Sequence, residues 1–322
     1  MSQKNETPVL ILSLLITLGV IGGGWWFYNQ NRNPIASDSS STNNTDNTPK
    51  PPSIQNNGKV DSLISTGDRF LFAENISNSK QKGISALADG DYEQAVSMLK
   101  ASLKLNRNDP EALIYLNNAR IGNKTSYIIV ASVPISSTPN VAKEILRGVA
   151  QAQNEINQNG GIAGKSLKIA IADDSNDAET AQQLANTFAK DKSILGVIGH
   201  FSSSVTLAAA PVYQDNNLVL ISPTSTSVEL SGASDYVFRT VPSDRYAGNA
   251  LVRYLLQNLQ QRKAAVIYTS ESSYSQSLRN VFKTEALSSG GDIVAEYDFA
   301  QSGFNVAGVV QKARQEGAEA IV

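Results

Sequence analysis

Two runs of hydroxyl-bearing residues are the parts of this chain best suited to hold a ligand: Phe201-Ser202-Ser203-Ser204 and Ser222-Pro223-Thr224-Ser225-Thr226-Ser227. The first follows the apolar stretch ILGVIGH and runs directly into VTLAAAPVY, which reads as a helix. Serines at a helix N-terminus offer their hydroxyls, and the free N–H groups of the first turn, to an anion such as a carboxylate. The second run follows LVLI, and a Thr-Ser-Thr loop contributes hydroxyls and carbonyl acceptors that suit an ammonium. Together Ser202, Ser203, Thr224, Ser225 and Thr226 have the chemistry to hold a zwitterion. The same residue types also cap helices and shape turns, and the residues by themselves leave both roles open.

Other conspicuous residues have plainer readings. His200 is the only histidine, and the sequence offers it no evident partners for catalysis or metal binding, so it reads as a packed side chain beside the serines. Asp173 and Asp174 end a strand pattern; adjacent strand residues point to opposite faces, so they read as shaping the turn into the helix at Asp177 rather than as a carboxylate pair. The stretch Asn157 to Ser166, NQNGGIAGKS, ends like a phosphate-binding loop, but Asn159 stands where that loop needs its first glycine. Its flanks are also reversed, with a helical pattern before it and the strand pattern LKIAIADD after it, so Gly160 reads as a helix C-cap. No motif for a cofactor or a metal remains. The absence of cysteine removes disulfides, thiolate metal sites and a cysteine nucleophile. With 27 basic and 29 acidic residues and no long basic run, nucleic acid is not expected as a partner.

The elements that must position these residues alternate from Lys124 onward. Strand patterns YIIVASVP, LKIAIADD, ILGVIGH, LVLISP, YVFRTVP, AAVIYTS and DIVAEYDF are separated by helices starting near Val141, Ala178, Val205, Tyr246, Ser275 and Val306. Alternation of this kind predicts doubly wound, mostly parallel sheets, in which ligands sit beyond the carboxyl ends of the strands. Both hydroxyl runs fall at such ends. The last residues, AEAIV, read as the start of a further strand, and the chain is expected to be a fragment or a truncated product.

The N-terminal third has a different character. Val9 to Tyr28, VLILSLLITLGVIGGGWWFY, is uncharged and long enough as a helix to cross the ~30 Å hydrocarbon layer, with Trp25, Trp26 and Tyr28 suited to the interface. It is read as an uncleaved anchor, with a cleaved signal peptide as the rival. Asn33 to Gly58 lacks the apolar residues needed to repay ordering and reads as a disordered tether. From about Lys80 the pattern turns helical and resembles a tetratricopeptide repeat in Gly83, the Gly90-Asp91-Tyr92 turn, Ala95, Leu99 and Pro110. Only about one and a half repeats are visible, so this segment reads as a short helical spacer packed on its neighbour rather than an independent peptide-binding array.

From Ser126 onward, GVAQAQNEINQNGGIAGKSLKIAIADD, VIGHFSSS, LISPTSTSVEL, FRT and VIYTSESSY come in the order seen in the substrate-binding proteins of branched-chain amino acid ABC transporters, and the chain resembles that family through Val322. The resemblance implies an α/β fold of the two-lobed type I periplasmic-binding kind, with a second lobe that is incomplete here. The expected boundaries are 1–30 for a transmembrane anchor, 31–62 for a linker, 63–123 for the tetratricopeptide-like segment, 124–243 for the first lobe and 244–322 for the second. It also implies that Ser203 binds a ligand carboxylate, that the loop with Thr224 and Thr226 holds amino and carboxyl groups, and that Tyr274 lines the second lobe. The family's small disulfide has no counterpart, since Ser202 stands at one of its positions. The expected function is capture of amino acids or related small polar ligands for ABC permease subunits, on the extracytoplasmic side of a membrane, without enzymatic activity. A membrane-tethered sensing receptor with the same clamp is the alternative.

Overall fold

The computed structural model describes residues 60–74 and 76–322. The expected anchor and most of the expected tether lie outside the described residues. Among those described, no helix is long and apolar enough to cross a membrane.

The chain enters the structure on the edge of a sheet. Val60 and Leu63 pack against the core, so the chain is already docked just before residue 62, where the tether was expected to end. Strand β1 (Ile64–Ser65) then pairs antiparallel with Ala172 and Ile171. Three helices come next: α1 (Asn78–Ala88), α2 (Tyr92–Leu105) and α3 (Pro110–Ile121). Each starts where an oxygen-bearing side chain caps it: Ser77 accepts from Lys80 N, Asp91 from Gln94 N and Asp109 from Ala112 N, with Pro110 in the first helical turn. Gly83 is required at the crossing of α1 and α2, because a Cβ there would lie 2.7 Å from Leu99 Cγ.

These helices are not a separate unit from the α/β region. Ile84, Leu99, Ile114 and Tyr115 share one core with Val133, Leu146 and Ile171 of that region. Polar groups reinforce the seam. The buried Glu111 carboxylate accepts from Leu71 N at 2.7 Å, and Asn118 donates to Thr66 O and Ile169 O while accepting from Ile169 N. Lys80 Nζ lies 2.7 Å from both Asp109 and Glu111, with its side chain only 3% exposed. Burial works against the Lys80 charge, but Glu111 and then Asp109 outweigh it and hold the ammonium above its ordinary value.

The α/β region then alternates: β2 (Ser126–Val133), α4 (Pro139–Gln158), β3 (Ser166–Asp173), α5 (Ala178–Lys190), β4 (Ile194–Ile198), α6 (Ser203–Asn216), β5 (Val219–Ser222) and β6 (Val237–Arg239). These strands form one sheet in the order β1-β3-β2-β4-β5-β6, parallel except for β1. Alternation decides which face each side chain serves. Ala131, Val133, Ile169 and Ile171 join the core shared with α1–α4, whereas Val130, Ala170 and Ala172 pack with Leu184, Phe188 and Tyr213 on α5 and α6. Both faces are therefore covered, as a parallel sheet requires.

The chain leaves β6 through Thr240 to Ser243 and enters α7 (Asp244–Arg253), which continues as a wider helical turn to Asn258. A second, parallel sheet of order β8-β7-β9 comes after it, built from β7 (Lys263–Tyr268), α8 (Ser273–Ser288), β8 (Asp292–Asp298), α9 (Val306–Gln315) and β9 (Ala320–Ile321). Its core is smaller, centred on Val252, Leu255, Val266 and Phe282.

Several helices begin earlier than the apolar periodicity indicates. Helices α6, α7 and α8 start at Ser203, Asp244 and Ser273, two residues ahead of the first periodic position, because Ser202, Ser243 and Ser272 cap them. The Gly-Lys-Ser stretch is a helix-to-strand turn: Gly160 has φ 91°, and Ile162 pairs with Lys165 at the amino end of β3. That end is opposite to the one where both hydroxyl runs lie.

Candidate functional site

Beyond the carboxyl ends of β4 and β5, the two hydroxyl runs meet, and most of their hydroxyls are used up in holding the meeting together. Ser202 Oγ accepts from Val205 N at 3.3 Å and is the N-cap of α6. Thr224 Oγ1 donates to Phe201 O at 2.6 Å. Ser225, buried, pairs with Thr206 Oγ1 at 2.8 Å and lies 3.4 Å from Phe201 O. Ser222 Oγ donates to His200 O at 2.8 Å and accepts from Ser225 N at 3.0 Å. Thr224 and Ser225 thus tie their loop to the 200–201 backbone.

Ser202 and Ser227 each accept one backbone N–H and keep a hydroxyl proton, and so does Ser203. Ser203 is 2% exposed, and its Oγ accepts from Ser227 N at 3.2 Å, which engages a lone pair and leaves the hydroxyl proton to donate. Thr226 Oγ1 is out of contact with solvent and has no hydrogen-bond partner. A buried hydroxyl without a partner costs free energy unless something else supplies the bond. Both residues sit just past strand ends, held by the sheet rather than by a free loop. The Arg239 guanidinium fixes the loop by donating to Thr226 O and Ser227 O at 3.1 and 2.6 Å.

One residue was not singled out from the sequence and belongs here. Asp244, only 1% exposed, donates its backbone N–H to Thr226 O at 2.8 Å, and its Oδ2 is buried without a hydrogen-bond partner. In the sequence it looks like the first acid of a helix, and only its burial beside Thr226 sets it apart.

His200 has the partners that the sequence does not reveal. Its ring is fully buried, with Nδ1 2.7 Å from Asp174 Oδ2 and Nε2 3.1 Å from Tyr213 OH. Burial, and then the Asp174 charge, push the Tyr213 phenol far above its ordinary value, so it keeps its proton. Both ring nitrogens are occupied within the fold. Asp173 and Asp174 do shape the turn, accepting from Ser175 N and Asn176 N, but Asp174 also anchors His200, and Asp173 accepts from Ser136 N. Among the described residues, no group of three or more His, Asp or Glu side chains is placed to hold a metal.

The second sheet reaches the same place. Ser273 N donates to Ser204 Oγ at 3.0 Å, and Val228 N donates to Ser277 Oγ at 3.0 Å, so the start of α8 lies against the start of α6 and the hydroxyl loop. Tyr274 is 48% exposed and lines a cavity of about 230 Å³ with Val266, Tyr268, Leu278 and Phe282. Neither Ser203 nor Thr226 lines that cavity. A broader depression of about 510 Å³ lies between β8 and α9, away from both.

Comparison with known proteins agrees with this geometry. A family model described as periplasmic binding protein matches residues 132–322. A Leu/Ile/Val-binding protein homolog from Brucella abortus is 32% identical over 196 residues, 56% of this chain and 52% of the relative. The Leu/Ile/Val-binding protein of Escherichia coli is 31% identical over 157 residues, 48% of this chain and 42% of its own length. An ABC transporter substrate-binding protein from Desulfitobacterium hafniense, solved in complex with Leu, superposes with a TM-score of 0.53 at 31% identity, covering 61% of this chain and 58% of that one. The chain spans about half the length of the curated relatives it matches. With more than half of its residues matched to one family model and both sheets in place around a shared hydroxyl cluster, this chain belongs to the periplasmic binding protein family.

Proposed function

We propose that the chain is the extracytoplasmic solute-binding component of an ABC transporter, and that it captures amino acids of the branched-chain type, or related small polar ligands, between a first lobe of residues 124–243 and a second of 244–322. The observation that carries this reading is two buried hydroxyls beyond the strand ends: Ser203, whose proton is free to donate, and Thr226, whose Oγ1 has no partner. In a parallel α/β sheet such groups face the ligand crevice. Ser203 also stands in the first turn of the 14-residue helix α6, where the positive end of the helix dipole favours a carboxylate. The chemistry is binding and release by hinge motion at Thr240 to Ser243, not catalysis. ABC permease subunits are the partners that would receive the solute. We read the helices from 78 to 121 as a tetratricopeptide-like spacer, and Val9 to Tyr28 as the anchor that keeps everything after Arg32 outside the cell.

Calorimetric titration of the full chain against amino acids, amides and urea tests the reading. Binding of at least one amino acid with a stoichiometry near one is expected; binding of a nucleotide and of none of these solutes would defeat it. Placement outside the membrane is tested separately by adding protease to intact cells, where protection of residues 124–322 is the outcome that contradicts it.

A further inference from the structure

Past the end of β4 the chain is tied by side chains. Gly199 N still donates to Ile221 O at 3.1 Å, but the carbonyls of the next two residues accept from hydroxyls. His200 O accepts from Ser222 Oγ at 2.8 Å and lies 3.4 Å from both Ser225 Oγ and Thr206 Oγ1. Phe201 O accepts from Thr224 Oγ1 at 2.6 Å and lies 3.4 Å from Ser225 Oγ. Residues 200 and 201 are therefore a peg from which the loop of residues 222 to 225 hangs. Thr226 is the next residue of that loop, and Ser203 follows the peg two residues on. Such a peg places them only if it is itself held.

The His200 ring holds it. It is fully buried, with Nδ1 2.7 Å from Asp174 Oδ2 and Nε2 3.1 Å from Tyr213 OH. Its partners are fixed in turn. Asp174 donates its backbone N–H to Val133 O at 3.1 Å and accepts from Asn176 N at 3.0 Å and Ser132 Oγ at 3.2 Å. Tyr213 is fully buried on α6. One ring thus ties the ends of β2 and β3 to α6 and to the peg. A buried polar network whose members are all bonded selects one arrangement of the groups around it. The ring and its two partners make no hydrogen bond to the hydroxyl of Ser203 or of Thr226.

We infer that Asp174, His200 and Tyr213 are positioning residues for the solute site: the ring fixes the peg, and the peg sets where the hydroxyls of Ser203 and Thr226 stand. The inference rests on the solute-binding reading and deepens it, since affinity then depends on bonds that never touch the solute. A binding group has to be held within about 0.5 Å of its productive place, and that tolerance is what the ring supplies.

The test uses the full chain with Tyr213→Phe, Asp174→Asn and the two combined, each titrated with L-leucine and followed, unliganded, through the backbone amide resonances of Ser203 and Thr226. Gln153→Leu is the control, because Gln153 is equally buried and bonded, to Asn118 and Leu167 O, but at the opposite end of β3. Each single variant is expected to weaken leucine about tenfold, the equivalent of one buried hydrogen bond, and to shift both resonances. The double variant should lose no more than the weaker-binding single, because both changes act through one ring. Gln153→Leu should lower the melting temperature and leave affinity and both resonances alone. Unmoved resonances with undiminished affinity in a folded single variant would overturn the inference. So would additive losses, or an equal loss of affinity in Gln153→Leu, which would mean that binding merely follows stability. If neither single variant folds, His200→Asn, whose amide still reaches toward Asp174, is judged by the same two readouts. Should the unmodified chain bind no amino acid, the solute-binding reading falls, and the resonances alone decide whether the ring positions Ser203 and Thr226.

Discussion

Ser203 and Thr226 should respond differently to truncation, because only one of them has a partner inside the protein. Thr226→Val replaces an unpartnered buried hydroxyl by a methyl of the same shape, so the unliganded protein should be as stable as before or slightly more so, while solute affinity falls by roughly 1–3 kcal/mol, about one to two decades. Ser203→Ala should lose affinity to the same extent but also about 1 kcal/mol of stability, since Ser227 N loses its acceptor. Ser222→Ala serves as the contrast: it removes bonds to His200 O and Ser225 N, and should lower the melting temperature more than Thr226→Val does. Calorimetry and unliganded melting curves on the three variants check this ordering, and unchanged affinity for Thr226→Val would remove Thr226 from the site. In the sequence these residues look alike. Ser202, Thr224 and Ser225 have the same chemistry and spacing as Ser203 and Thr226, and what separates them is which backbone groups fall within reach once β4 and β5 lie side by side. Asp244 and the Asp174–His200–Tyr213 chain were illegible for a related reason, since their partners lie 13 to 26 residues away in sequence and are chosen by the fold.

At the scale of elements, the seam between the helices and the sheet is where a single change should do the most damage. Lys80→Met leaves Glu111, fully buried, without its countercharge, and breaking a buried pair from one side typically costs about 3–5 kcal/mol. The added replacement Glu111→Gln should recover part of that loss; chemical denaturation of both variants measures it, and an unaltered midpoint for Lys80→Met would mean the pair contributes nothing. The effect depends on pH in a defined direction. Because the folded ammonium is held above its ordinary value of 10.5, its contribution is full below that pH and fades as pH rises through the higher folded value, so the gap between the two proteins should persist to about pH 10 and narrow beyond it. The strands and helices of the α/β region were legible because runs such as YIIVASV and SLKIAIAD are long, apolar and bounded by turn residues. Strand β1 was not. It is two residues long, lies next to Gly67 in a stretch with no periodicity, and exists only because β3 offers it an edge more than a hundred residues later.

For the whole molecule, solute binding between the sheets should draw the start of α8 more firmly onto the start of α6. Amide hydrogen exchange at Val228 and Ser273, whose N–H groups bridge to Ser277 and Ser204, is therefore expected to slow on addition of leucine, with exchange in α1 to α3 unaltered. Slowing confined to the first sheet would mean that the solute is held without closure. The unaltered part of that forecast comes from the seam: the helices share a core with β2, β3 and α4, so they ride with the first sheet as one body. The same seam has a consequence in time. Ile64 and Ser65 leave the ribosome long before Ala172 and Ile171 do, and at about 5–20 residues per second the roughly one hundred residues between them take on the order of 5–20 s to appear. Throughout that interval Asn118 lacks Ile169, and the apolar face of α3 has no β3 to cover it. A nascent chain of this protein therefore carries an exposed, half-assembled surface for seconds, until β3 has been made to cover it.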